Sequence, residues 1–364
     1  RGAAGGSGRE CTVGGIDSER GQVRRALVRA GSVVAVLLVL VGGAVAAGAR
    51  LTETVMVTYV GACSGQPDVL CAIDMQRGVV QWHANPPPLP VNQRRMVYST
   101  GYPGVLRLFD GIEWRDVTDD DTHNLIPVLS DDGTLLVYAR MDNESGEATL
   151  RLMTVQNYSY TTLPTPPGRP ATPPIWSPDG NAFLYLTLLM NGSTQMWYVP
   201  VDGSKGVRLG VVSSNLVAWS PDGQQVAYVT PDKRRIFITE ALSGTTVAEY
   251  GIAEGQNELS ELAWSPDGDR IAFVYRHVPG NFPAGIPVHT TRLLHIPSGQ
   301  ITQFAHPPYQ VSYTVFWADA RYIVQPMVDS RRQAILLIDT LDQRVKAHDI
   351  QARGETRYRR VVGW

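Results

Sequence analysis

Four groups of residues have types and spacings that could do chemistry. Asp119-Asp120-Asp121-Thr122-His123 is an acidic run whose oxygen donors would suit a hard cation. It lacks the alternating spacing that wraps a calcium loop around its ion, so a solvated loop is the simpler reading. Cys63 and Cys71 stand eight residues apart, and no His or further Cys lies near them at metal-ligand spacing. The seven His (83, 123, 277, 289, 295, 306, 348) are scattered singly and read as ordinary polar residues. The fourth group is the run Arg276 to Thr290, RHVPGNFPAGIPVHT, where Pro279, Pro283 and Pro287 stiffen a segment that also carries Phe282, Ile286 and Val288. Such a loop on a rigid frame is where partners bind; a loop packed back on its own sheet is the alternative. The sequence contains no Gly-x-Ser-x-Gly, His-Glu-x-x-His, Cys-x-x-Cys or phosphate-cradling Gly loop. These residues point to binding, with no catalytic site, metal or cofactor expected.

The elements that must position these groups come from a repeat. Trp176-Ser177-Pro178-Asp179-Gly180 returns as Trp219-Ser220-Pro221-Asp222-Gly223 and Trp264-Ser265-Pro266-Asp267-Gly268, 43 and 45 residues apart. That period belongs to repeated β-structure. Pro presets φ, Asp bonds its own backbone and Gly takes the left-handed conformation, so Ser-Pro-Asp-Gly is a turn. The Trp before it ends a strand and is large enough to pack between neighbouring units. Weaker copies follow the same plan. Leu129-Ser130-Asp131-Asp132-Gly133 replaces Trp by Leu, and Trp317-Ala318-Asp319-Ala320 keeps the Trp. Strand-like runs such as Thr149 to Met153, Gln195 to Val199, Arg235 to Ile238 and Ala334 to Asp339 recur as third strands of four-stranded units.

The pattern resembles the TolB-type β-propeller repeat of bacterial envelope proteins, over roughly residues 85–345. The resemblance implies an all-β propeller that docks a protein or another envelope component. Six full units begin near residues 87, 126, 174, 216, 261 and 314, and three strands at 55–82 lack a first strand. Arg360-Val361-Val362-Gly363-Trp364 ends on a Trp 47 residues after Trp317 and is expected to complete that unit. Closure of this kind removes free sheet edges. The expectation is therefore seven blades, with six and eight as the alternatives. Loops between blades and loops between second and third strands emerge on one side, so Phe282, His289, Tyr309 and Tyr313 are expected to share a partner-binding rim.

Ala30 to Ala49 carries no charge, and as a helix it would rise about 30 Å, enough to cross a membrane. Arg24, Arg25 and Arg29 precede it and Arg50 follows, which keeps residues 1–29 cytoplasmic as a disordered tail and sends residues 51–364 outside. The segment 30–50 reads as a signal anchor in the inner membrane; a signal peptide cut after Ala47-Gly48-Ala49 is the alternative. In an exported body Cys63 and Cys71 are most simply a disulfide, with two free thiols as the other reading. Residues 51–364 hold 25 basic against 31 acidic groups and no basic stripe, which excludes nucleic acid as the expected partner. Three functions compete. The first is a non-catalytic interaction scaffold. The second is a hydrolase- or lactonase-like enzyme with carboxylates or a metal in the central channel, for which the innermost strands offer Glu261. The third is a carbohydrate or small-ligand sensor, although residues 1–29 hold no recognisable signalling domain. The scaffold accounts best for these residues.

Overall fold

The computed structural model describes residues 56–63, 66–74, 79–82, 95–100, 104–109, 113–118, 123–142, 144–213, 216–252, 258–277, 288–304, 311–312, 315–328 and 333–349. All regular structure among them is β, arranged in seven antiparallel sheets that follow one another along the chain. The first sheet comprises Met56–Cys63, Gln66–Asp74 and Val79–Trp82, and the second Met96–Ser99, Leu106–Phe109 and Trp114–Asp116. The third runs His123–Leu129, Leu135–Met141, Ala148–Thr154, Tyr160–Leu163. In the fourth, a split first strand (Arg169–Pro170, Ile175–Trp176) pairs with Ala182–Leu188, followed by Thr194–Pro200 and Val207–Val212. The fifth is Val217–Trp219, Gln225–Val229, Arg235–Glu240, Thr246–Gly251, and the sixth Glu258–Trp264, Arg270–His277, Val288–His295, Gln300–Gln303. The seventh again has a split first strand (Val311–Ser312, Phe316–Trp317), then Tyr322–Val328, Gln333–Asp339 and Arg344–Asp349.

The second strands explain how the sheets stack. In the third to sixth sheets they carry continuous apolar runs, because successive side chains point to opposite faces and both faces are covered. In the fourth sheet Phe183 and Tyr185 enter a core shared with Val137, Ala139 and Leu150 of the third. The intervening Leu184 and Leu186 enter a core shared with Val226 and Tyr228 of the fifth. Ala227 and Val229 then meet Ile271 and Phe273 of the sixth, and Ala272 meets Ile323 and Leu336 of the seventh. Leu106 and Leu108 of the second sheet pack in the same way on Leu136 and Tyr138 of the third. Each sheet from the third to the sixth is thus sandwiched between its chain neighbours, which is the packing of propeller blades.

Burial is greatest on the second strand of a sheet and least on the fourth. First strands of consecutive sheets touch: Val217–Trp219 meets Glu258–Trp264, which meets Phe316–Trp317. Fourth strands such as Tyr160–Leu163, Thr246–Gly251 and Gln300–Gln303 are mostly exposed. First strands are therefore inner and fourth strands outer. The inner strands are also irregular, with bulges between Leu125 and Val128 and between Leu259 and Leu262, where Ile126 and Glu261 take φ near 50°. No helix among the described residues is long and apolar enough to cross a membrane. Residues 1–29, the apolar segment 30–50 and the terminal run Arg360 to Trp364 lie outside the described residues.

Candidate functional site

Antiparallel order gives the stack of sheets two ends. Turns from first to second and from third to fourth strands lie at one end, which we call the turn end. Turns from second to third strands and the connections between sheets lie at the other, the crossover end.

The turn end carries the Trp-Ser-Pro-Asp-Gly repeat, and its chemistry is internal. The Ser177 hydroxyl donates to Asp179 Oδ1 (2.6 Å) and accepts from Ala182 N (3.0 Å), while Gly180 N donates to Ser177 O (3.0 Å). Ser220 and Asp222 repeat the arrangement at 2.6 Å with Gln225 N at 2.8 Å, as do Ser130 and Asp132 at 2.6 Å with Leu135 N at 3.0 Å. Ser265 does so with Asp267 and Arg270 N. Gly133, Gly180, Gly223 and Gly268 close the four turns with φ between 68° and 84°, the region where a side chain is strained. The serine hydroxyl and then the backbone N–H groups hold the carboxyls of Asp132, Asp179 and Asp222 below the usual range. Burial pulls Asp267 upward, and the Ser265 hydroxyl with the Arg270 guanidinium outweigh it.

The tryptophans link the sheets. Trp219 Nε1 donates to Ile175 O (3.1 Å), Trp176 Nε1 to Val128 O (3.4 Å) and Trp317 Nε1 to Ala263 O (3.2 Å). Each acceptor is the residue before the Trp, or before Leu129, in the preceding sheet. Trp264 departs from the series and donates to Gly268 O of its own turn (2.9 Å). A pocket of about 400 Å³ lies beside it, between the Ser220–Gln225 and Trp264–Gly268 turns. Arg270 spans the next seam. Its guanidinium reaches Asp267, Thr340 Oγ1 (3.0 Å) and Ala320 O, and lies 5.2 Å from the Trp317 ring.

The crossover end is varied. Glu258 accepts from Lys233 Nζ (3.4 Å) and Arg276 Nη1 (3.3 Å), joining the fifth and sixth sheets. Arg292 stacks over Tyr275 at 3.6 Å, and burial followed by the Arg292 charge lowers the His277 pKa, which keeps that imidazole neutral near pH 7. Between the third and fourth sheets is a cleft of about 870 Å³, lined by Ser145–Thr149, Thr165–Arg169 and Leu188–Met190. Met190 is fully exposed on its wall and Leu188 is 44% exposed. Gly168 makes the connection fit: at φ 107° a Cβ there would meet Thr187 Cβ at 3.0 Å and Leu188 O at 3.1 Å. Sequence reading missed the cleft. Its legible signal is Leu188-Leu189-Met190 running straight into Asn191-Gly192, an apolar stretch carried into a turn. A further turn at this end was missed as well: Thr230 and Asp232 copy the Ser-x-Asp bond at 2.5 Å, with Lys233 at φ 57° in the glycine position.

The expected rim is placed only in part. His289 is nearly buried on Val288–His295, opposite Arg276 and toward the crossover end. Phe282, Tyr309 and Tyr313 lie outside the described residues, as do Asp119 to Thr122; His123 is buried at the start of its strand. Trp364 is also outside. Cys63 and Cys71 lie on paired strands, but Cys63 is opposite Gln66 and Cys71 opposite Tyr59. An offset of four or more residues along a strand is about 13 Å, beyond the ~7 Å that a disulfide spans between Cα atoms. The register does not bring them together. Among the described residues no three His, Cys, Asp or Glu converge as a metal site.

No protein-family model matches the sequence, and no curated protein matches it. Similar folds are found among solved structures. Puromycin hydrolase aligns with a TM-score of 0.54 at 16% identity, covering 82% of this chain and 52% of its own, so the chain spans about half the length of that enzyme. An oligogalacturonate lyase in complex with manganese aligns with a TM-score of 0.52 at 11% identity, covering 80% and 83%. TolB from Acinetobacter baumannii aligns at 16% identity over 79% of this chain and 77% of its own, with a TM-score of 0.41. At these identities the likeness is one of fold alone. With the sheet order and the packing between sheets, the alignments with the hydrolase and the lyase establish that this chain has a β-propeller fold.

Proposed function

We propose that the chain is a membrane-anchored, extracytoplasmic propeller that serves as a non-catalytic interaction scaffold, with the crossover end as its docking face. Residues 30–50 are its anchor, and the strand Arg360 to Trp364 closes a ring of seven blades. The choice of docking face rests on one observation: an open cleft of about 870 Å³ bordered by the fully exposed Met190 and by the partly exposed Leu188. An exposed apolar wall beside a concavity is a mark of a binding surface.

Cross-linking of the full chain in its native membrane, followed by purification in mild detergent and mapping of linked peptides, tests this. Linked residues should concentrate at the crossover end, around Ser145–Thr149, Leu188–Met190, Lys233 and Arg276. Links confined to the Ser-Pro-Asp-Gly turns would refute the assignment of the face.

A further inference from the structure

The cleft between the third and fourth sheets has a backbone feature that narrows the choice of ligand. Tyr160–Leu163 pairs with Ala148–Thr154 only as far as Leu163 opposite Leu150, because the chain then turns away at Pro164. Leu150 N, on the outward side of its strand, is taken by Thr165 Oγ1 at 2.8 Å. Residues two apart on a strand present their backbone groups to the same side. Ala148 therefore directs its N–H and C=O outward past the end of the outer strand, and it lines the cleft. On the inward side Glu147 O accepts from Asp142 N (2.9 Å), in keeping with this alternation. Facing this edge are Leu188, Leu189 and the unbranched, adaptable Met190, with Pro166 and Pro167 along the connecting segment. The exposed guanidinium-bearing Arg169 stands at the end of the connection and the exposed Glu147 on the opposite wall.

We propose that this cleft takes an extended polypeptide segment, which adds one antiparallel rung to the Ala148 edge, lays an apolar side chain on Met190 and Leu188, and offers a carboxylate to Arg169. The inference rests on the scaffold reading and names its ligand class. Main-chain bonds at an open edge give such a site affinity, and the side-chain wall gives it selectivity.

The test uses random decapeptides displayed on phage, selected on the full chain in detergent and then measured as labelled peptides by fluorescence anisotropy. Ala148→Pro removes only an outward N–H, at a strand edge that tolerates proline. It should weaken binding about tenfold. Met190→Asp should weaken it at least as much, and Arg169→Glu should weaken peptides that carry a carboxylate. Should Ala148→Pro fail to fold, methylation of single peptide amides on the wild-type chain asks the same question, and one position should abolish binding. Peptides that bind all three variants as tightly as the wild type, or a selection that recovers none, would overturn the proposal. Cross-links at the crossover end that survive Ala148→Pro and Met190→Asp, with no peptide bound in the cleft, would overturn the peptide site while leaving the docking face standing.

Discussion

The two ends of the stacked sheets are built from the same strands and differ in where their polar groups go. At the turn end each serine hydroxyl, aspartate and glycine N–H of the repeat is satisfied within five residues, four times over. At the crossover end one turn, Thr230 to Lys233, copies that bond, but the contacts between groups there are otherwise idiosyncratic. Glu258 bridges two sheets, Arg292 covers Tyr275, and apolar Met190 stands in solvent beside a cleft, whereas the exposed Leu242 and Leu341 of the turn end stand on tight turns. A self-satisfied turn has little left to offer a ligand, so repetition here marks structure. Variation marks the surface that is available for recognition. The uniform end should therefore govern stability and the irregular end should govern binding.

The sharpest way to break that contrast is Trp219→Ala. Trp219 is 9% exposed, packs with Leu184, Leu186 and Met196, and bonds Ile175 O of the preceding sheet. Its removal should cost about 3–5 kcal/mol, read by denaturant unfolding. A loss below 1 kcal/mol would show that the seam does not depend on it. Ser220→Ala comes next, because it strands Gln225 N and removes the hydroxyl partner of Asp222, leaving Gln224 N on that carboxylate. A loss of about 1–3 kcal/mol is expected in the same assay.

The pH dependence follows from the same turns. Asp132, Asp179, Asp222 and Asp267 have folded pKa values below their unfolded ones. Their contribution is fully present above the unfolded value of about 4 and is lost as pH falls through the folded values. Stability measured from pH 6 down to pH 2.5 should fall in that acid window, and less steeply in Asp179→Asn than in the parent. Cys63 and Cys71 come next: peptide mapping without reductant should find two unlinked thiols if the register of the first sheet holds, whereas a linked pair would require that hairpin to shift. The smallest effect belongs to the crossover end. Met190→Ser should change stability by no more than about 0.5 kcal/mol, since the side chain has no packing to lose. A larger loss would mean that Met190 belongs to the core.

Much of this architecture was legible because its signals are local. The Ser-Pro-Asp-Gly turns need only four adjacent residues, and the apolar second strands announce burial on both faces within five to seven positions. The strand-ending Trp176, Trp219, Trp264 and Trp317 were expected between units, and three of the four bond the neighbouring sheet. The departure of Trp264 was not legible. Its choice between Gly268 O and the preceding sheet depends on how closely two sheets approach, a distance set by side chains about 40 residues away in sequence.

By itself, the sequence determined the repeat, its period, the four-stranded order and the turn chemistry, since each follows from the φ preferences and hydrogen bonding of neighbouring residues. Only the tertiary structure decided which surfaces stay open. Met190 and Leu184 are both apolar residues of the same hairpin region, yet one is in solvent and the other is fully buried. The cleft beside Met190 exists because Pro164 ends the outer strand early and Gly168 lets the connection pass close to Thr187 and Leu188. Burial is a relation between segments distant in the chain: the apolar run Leu188 to Met190 entering a turn marks an exposed wall locally, but the space left between two sheets is set by both of them.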